Sequence, residues 1–205
     1  MYSFADRNDD SMTLRPEGTA GCVRAVVQHN LAVTPQRLWY MGPMFRYERV
    51  QAGRYRQFAQ VGIETLGTDD PQADVDAIAL GWHFYESLGL RKITLLLNSL
   101  GDPTCRPAYM DALRTYLSDN AASLSPQSQV TLERNPLRVL DSKRDEDAAI
   151  ISAAPLMVDF LTDETREHFE TVRAGLDQLG IPYELSPRLV RGLYYYTPTP
   201  FDFAA

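Results

Sequence analysis

The sequence predicts an α+β fold: an antiparallel sheet flanked by helices, with a mostly helical insertion. Three observations carry this. Residues 57–66 alternate in polarity, the period of a half-buried strand. Residues 71–90, 103–117, 145–160 and 163–179 repeat apolar side chains at helical spacing, and β character, lost after Gly101, returns at Tyr183. The expected division is a core built from 1–100 and 188–205 around a helical insertion at 101–187.

Taken in order, residues 12–15 alternate and stop at Pro16, which reads as a short strand. A helix follows, with Glu17 in its first turn and Cys22, Val23, Val26 and Val27 on one side. Residues 37–48 read as a strand bent or bulged at Gly42-Pro43, and 50–53 as a turn. The returning strand at 57–66 puts Ala59, Val61, Ile63 and Thr65 on one face and Gln60, Gly62 and Glu64 on the other. This is a long hairpin whose apolar side backs a floor made of an amide, a bare backbone position and a carboxylate. Residues 71–90 form an amphipathic helix through Val75, Ile78, Ala79, Trp82 and Tyr85, and 92–98 are β-rich.

Beyond Gly101 a helix at 103–117 aligns Tyr109, Leu113 and Leu117, and 118–128 is a polar linker. Helices at 145–160 and 163–179 follow. The second is capped by Thr162, striped by Phe169, Val172, Leu176 and Leu179, and stopped by Gly180. Residues 183–190 and 191–197 return to strand. The last strand ends with the chain and has no later sequence to pair with, and Pro198 and Pro200 are its disruptors.

A hydrophobic share of 44% with 2 cysteines excludes a disordered chain and a disulfide scaffold. Cys22 and Cys105, and the separated His29, His83 and His168, form no metal-ligand or nucleophile spacing, so no metal site is expected. No apolar run approaches the roughly 20 residues of a membrane span, and the first residues lack a secretory leader. No membrane partner and a cytoplasmic location are therefore expected. The net charge of −7 is unevenly spread, because Arg37, Arg46, Arg49, Arg54 and Arg56 face a single acid, Glu48, between positions 37 and 57.

Arginine presents a rigid fork of donors matched to phosphate or carboxylate, so Arg46, Arg54 and Arg56 suit a polyphosphate bent over the hairpin. Phe58 can stack a base. Gln60 and Glu64 can receive a cationic amine or an imidazole N–H. Solvated arginines on a hairpin tip are the plainer reading, and a basic hairpin with one aromatic also suits nucleic-acid contact without catalysis.

Three separated segments sharpen this. Leu14-Arg15-Pro16-Glu17-Gly18-Thr19, then Gly42-Pro43-Met44-Phe45-Arg46-Tyr47-Glu48-Arg49 through Gly53-Arg54-Tyr55-Arg56-Gln57-Phe58, then Leu189-Val190-Arg191-Gly192-Leu193 with Tyr195-Tyr196-Thr197, together resemble histidyl-tRNA synthetase, a class II aminoacyl-tRNA synthetase. The resemblance implies the class II antiparallel sheet. It implies that Glu17, Gly18 and Thr19, with Gln60 beside them, receive the amino group of L-histidine, and that Glu64, Tyr195 and Tyr196 recognise its imidazole. It further implies that Arg46 bridges substrate carboxylate and ATP α-phosphate, Glu48 contacts adenine, Arg54 a terminal phosphate, and that Phe58 stacks on adenine. Arg191 matches the second catalytic arginine, on the α-phosphate.

The family's reaction is in-line attack of the histidine carboxylate on ATP, with Mg²⁺ on the polyphosphate, and transfer from histidyl-adenylate to tRNA(His) by a homodimer. The resemblance also implies that the insertion approaches the tRNA acceptor stem. Tyr194 stands where the family has Asp, and Pro198 and Pro200 stand in a strand that they are expected to deprive of two ladder donors. The family's first and third signatures and its anticodon-binding domain are absent, so the chain is expected to be an internal piece of a catalytic domain. Two other readings stand beside this one. A non-catalytic regulatory subunit of ATP phosphoribosyltransferase is opposed by the intact Arg46, Gln60, Glu64 and Arg191. A nucleotide- or RNA-binding module leaves the carboxylate floor without a purpose.

Overall fold

The computed structural model describes residues 1–31, 34–189 and 198–204, which fall into two compact units, 1–69 and 70–205. The first opens with a small hairpin that the sequence reading missed in part: β1 (Ser3–Ala5) pairs antiparallel with β2 (Ser11–Thr13). Asp6 makes the turn, its carboxylate accepting the N–H groups of Asn8 and Asp10 at 2.7 and 3.0 Å. Helix α1 (Thr19–Gln28) follows. Val26 is buried but Val27 is 73% exposed, so the apolar side is narrower than expected.

The hairpin of β3 (Gln36–Phe45) and β4 (Gln57–Leu66) is continuous, with Gly42 opposite Gln60 and Pro43 opposite Ala59. The expected bulge at Gly42-Pro43 is absent, and the reason is the side on which Pro43 lies. Phe45 N–H donates to Arg15 O, and Pro43 O accepts from Arg15 Nε, so odd positions of β3 near its end point their backbone groups away from β4. The N–H that proline lacks is on the outer edge, and no ladder bond is lost. At the tip, Gln51 and Arg54 pair around Ala52-Gly53, where a φ of +72° calls for glycine.

The covered face of this hairpin is the reverse of the expected one. Trp39 and Met41 are 71% and 72% exposed, and Val61 and Ile63 are also open. The half-buried face is the polar floor of Gln60, Gly62 and Glu64, because the residues at the start of α1 lie over it.

The second unit is a three-stranded sheet, ordered β6-β5-β7, with helices. Helix α2 (Pro71–Ser87) starts at Asp70, which accepts Gln72 N–H, and ends before Gly89, at φ +77°. The central strand β5 (Thr94–Leu97) leads into α3 (Arg106–Asp119), which buries Tyr109, Leu113 and Leu117 as expected. The expected linker at 118–128 runs into α4 (Pro126–Arg134), a helix capped by Ser125 that the sequence reading did not place. Helix α5 (Asp145–Ala153) is shorter than the expected 145–160, because Ala154 precedes Pro155 and turns extended; a single 3₁₀ turn, Met157–Phe160, follows. Helix α6 (Asp163–Gln178) is capped by Thr162, but Leu179, placed in its stripe, is 54% exposed. Strand β6 (Tyr183–Leu185) is shorter than the expected 183–190.

The final strand, β7 (Phe201–Ala204), finds its partner in β5. Pro198 and Pro200 contribute carbonyls to this edge, accepting from Leu100 N–H and Asn98 N–H, and because a residue's N–H lies on the same side of an antiparallel strand as its C=O, each proline lacks the return bond to β5, as expected. Two apolar cores result. Residues 105–161 pack around Leu113, Leu117 and Val139, whereas α2, β5 and α6 close around Ile78, Leu95, Leu97, Val172 and Leu176. His168 Nε2 and Asp74 Oδ2, 2.8 Å apart and nearly buried, tie α6 to α2. Among the described residues no helix is long and apolar enough to cross a membrane.

Candidate active site

The register of the hairpin builds the floor. Leu38, Tyr40 and Gly42 stand opposite Glu64, Gly62 and Gln60, so the same face carries Tyr40, Gln60, Gly62 and Glu64. The Tyr40 ring lies over Gly62 and under Gly18. A Cβ at either glycine would overlap it, which explains why both positions are bare. Thr19 Oγ1 donates to Glu64 Oε1 at 2.6 Å, locking the start of α1 to the floor.

Glu64 is half-buried, and burial raises its pKa above the ordinary carboxylate value. The Thr19 hydroxyl opposes that rise, and the nearby Glu17 carboxylate adds to it. The same two acids, together with burial, raise the Tyr40 phenol and the Cys22 thiol. The recess is thus a region of negative potential, suited to a cationic or N–H-bearing ligand. Glu17 also accepts Ala20 N–H at 3.1–3.2 Å, in front of α1. One further feature points to a missing partner: Gln60 Oε1 is buried with no hydrogen-bond partner among the described residues.

The basic end of the hairpin is ordered by its own contacts. Arg46 Nε donates to Pro16 O at 2.9 Å, and its guanidinium lies 4.9 Å from the centre of the Phe58 ring. Arg54 and Glu48 form an exposed ion pair at 3.5 Å. Arg56 stacks on Tyr47 at 4.5 Å and donates to Glu48 O. Of the residues expected in the site, Thr19, Glu64, Gln60, Glu17 and Gly18 share the acidic floor, Arg46 and Phe58 meet at its end, and Glu48 meets Arg54 at the tip. Arg191, Tyr194, Tyr195 and Tyr196 lie outside the described residues. Sequence reasoning missed Tyr40 and Cys22. Tyr40 was legible from the register, since the residue opposite Gly62 must share its face; Cys22 was read only as a helix residue. Among the described residues no three His, Cys, Asp or Glu side chains group to hold a metal ion.

The family model described as histidyl-tRNA synthetase matches residues 1–204. The chain belongs to the histidyl-tRNA synthetase family. The histidine–tRNA ligase of Synechococcus elongatus is 56% identical over 204 residues, 98% of this chain and 47% of that relative. The apo histidyl-tRNA synthetase of S. aureus superposes with a TM-score of 0.78 at 40% identity, over 99% of this chain and 48% of that one. A Bacillus halodurans protein described as an ATP phosphoribosyltransferase regulatory subunit/histidyl-tRNA synthetase shares the fold, with a TM-score of 0.66 at 19% identity over 99% of this chain and 57% of that one. The chain spans about half the length of the curated synthetase relatives it matches.

Proposed function

We propose that this chain supplies the histidine pocket and part of the ATP site of a histidine–tRNA ligase, which activates histidine with ATP to histidyl-adenylate and transfers it to tRNA(His). The observation that carries the reading is the acidic floor, where Glu64 is fixed by Thr19 beside Gln60, whose buried carbonyl oxygen lacks a partner among the described residues. Glu64, with Tyr195 and Tyr196, recognises the imidazole, and Glu17, Gly18, Thr19 and Gln60 receive the amino group. In its ionised form Glu64 accepts the ring N–H, and the hydroxyl of Thr19 keeps the carboxylate from turning away. Arg46 holds the substrate carboxylate against the α-phosphate, while Arg191 neutralises charge that develops there; catalysis is positioning and charge stabilisation, with no covalent enzyme intermediate. Phe58 offers its ring to adenine, with Glu48 at the base edge and Arg54 at the terminal phosphate.

Mg²⁺ accompanies ATP in this reading. Among the described residues no three His, Cys, Asp or Glu side chains group to hold it by themselves, and when bound it would neutralise charge on the polyphosphate. Residues 1–100 and 188–205 form parts of the catalytic core, 101–187 the insertion, and the full-length enzyme is a cytoplasmic homodimer. The retained Arg46, Gln60, Glu64 and Arg191, and the identity to histidine–tRNA ligases, favour this reading over a non-catalytic regulatory subunit.

The test is histidine-dependent ATP–pyrophosphate exchange by a full-length synthetase carrying this sequence. Arg46→Ala and Arg191→Ala should each lower the rate by at least about a hundredfold, the loss typical of a preorganised charge donor. An unchanged rate in both would refute the assignment.

A further inference from the structure

The chain leaves the sheet for the helical segment at 98–105 and returns at 161–163, and both passages meet at one carboxylate. Asp102 Oδ1 accepts Thr104 N–H at 2.6 Å, Thr104 Oγ1 at 2.6 Å and Cys105 N–H at 2.9 Å, all on the way into α3. Its other oxygen, Oδ2, accepts the hydroxyls of Thr162, at 2.8 Å, and Thr165, both at the start of α6. The two oxygens are divided between two stretches of chain about sixty positions apart, one on each side of the boundary between the two apolar cores. Gly101, at φ +63°, presses against Met157 and Leu161, so the neck is close-packed beside this carboxylate. A second tether lies elsewhere: Arg188, after β6, donates to the carbonyls of Ser152, Ala154 and Pro155 at the end of α5.

We propose that Asp102 is a positioning residue that clasps the two chain crossings and thereby fixes the orientation of the helical segment on the β6-β5-β7 sheet, which the transfer of histidine to tRNA requires. The proposal rests on the ligase reading for its functional half only. Four of these hydrogen bonds, from the hydroxyls of Thr104, Thr165 and Thr162 and from Cys105 N–H, hold this carboxylate well below the usual carboxylate pKa range, the Thr104 hydroxyl contributing most, so the clasp is ionised throughout the working range of pH. A rotation of the segment about its neck must break the bonds to Oδ2, whereas those to Oδ1 are local to one turn. Removing the Oδ2 donors therefore loosens the clasp without unmaking the start of α3.

The experiment uses the full-length synthetase with Asp102→Ala, Thr165→Val and Thr165→Ser. Asp102→Ala and Thr165→Val should raise the KM for tRNA in histidine charging by about tenfold, the scale of a small misplacement of a positioned substrate, and leave histidine-dependent pyrophosphate exchange within about twofold. Thr165→Ser, which keeps the hydroxyl, should behave as the parent. Hydrogen–deuterium exchange should quicken at 103–106 and 162–166 in Asp102→Ala, and at 162–166 in Thr165→Val. Parallel loss of exchange and charging, an unchanged tRNA KM, or unchanged amide exchange would each overturn the clasp. An unmodified enzyme that shows no histidine-dependent exchange would instead overturn the ligase reading, and amide exchange alone would then decide whether the clasp stands.

Discussion

Glu64 carries the central tension of the site. Burial and the Glu17 carboxylate raise its pKa, so the folded protein holds this proton more tightly than the unfolded chain does. Stability from this group is therefore fully present below the ordinary carboxylate pKa and declines as pH rises through the folded value. Recognition of an imidazole N–H runs the other way, because it needs the carboxylate ionised. Glu64→Gln should raise the melting temperature of the unliganded protein at pH 7 while weakening histidine binding by tenfold or more, and its histidine KM should lack the fall with rising pH that is expected of the parent as the Glu64 carboxyl ionises. Thermal denaturation and a KM–pH profile of both proteins check this; a Gln variant that is less stable and binds histidine as before would contradict it.

The elements of the helical segment are held by polar groups as much as by their apolar core. Asp147, in the first turn of α5, is fully buried and accepts Ser125 N–H at 2.8 Å and the hydroxyls of Ser125, Ser128 and Ser142 at 2.9, 2.6 and 2.6 Å. Burial alone would raise its pKa, but these four donors outweigh burial and lower it to about 2. The carboxylate joins the cap of α4 to α5, so Asp147→Ala should cost about 3 kcal/mol by urea denaturation, from unpaired hydroxyls and a cavity. With the folded pKa depressed, its stabilising effect is present above about pH 4 and is lost as pH falls toward 2. Acid titration of Asp147→Asn should lack that part of the loss.

The same elements show which features were legible in the sequence. The alternation of β4 and the stripe of α3 were, because a repeating period reports which face is covered. Helix α4 was not, since only Ser128 and Leu132 of its residues are buried, which leaves no apolar stripe, and its first turn falls in the polar stretch read as a linker. The break at Pro155 was legible in principle, through the extended conformation that proline forces on the residue before it.

Across the whole molecule, composition described an acidic chain, and neither its negative sum nor its length distinguished a site. Local pattern did: one +4 hairpin, with a floor that holds Glu64 and Gln60 on a single face. The apolar side of that hairpin was read as covered backing, but α1 takes the polar side and leaves Trp39 and Met41 open. Which face is covered is a tertiary fact that period-two alternation cannot carry, since it separates the faces without saying what lies on them. The Asp102 clasp was illegible for a similar reason, because its partners are brought together only by packing.

The most direct test of the acidic floor is substrate selectivity in pyrophosphate exchange by the full-length synthetase, comparing histidine with thienylalanine, a five-membered-ring analogue that lacks the ring N–H. A site built to accept that N–H should prefer histidine in kcat/KM by about 10⁴. A preference within about tenfold, or exchange that proceeds without histidine, would contradict the assignment of Glu64 and its neighbours to histidine recognition.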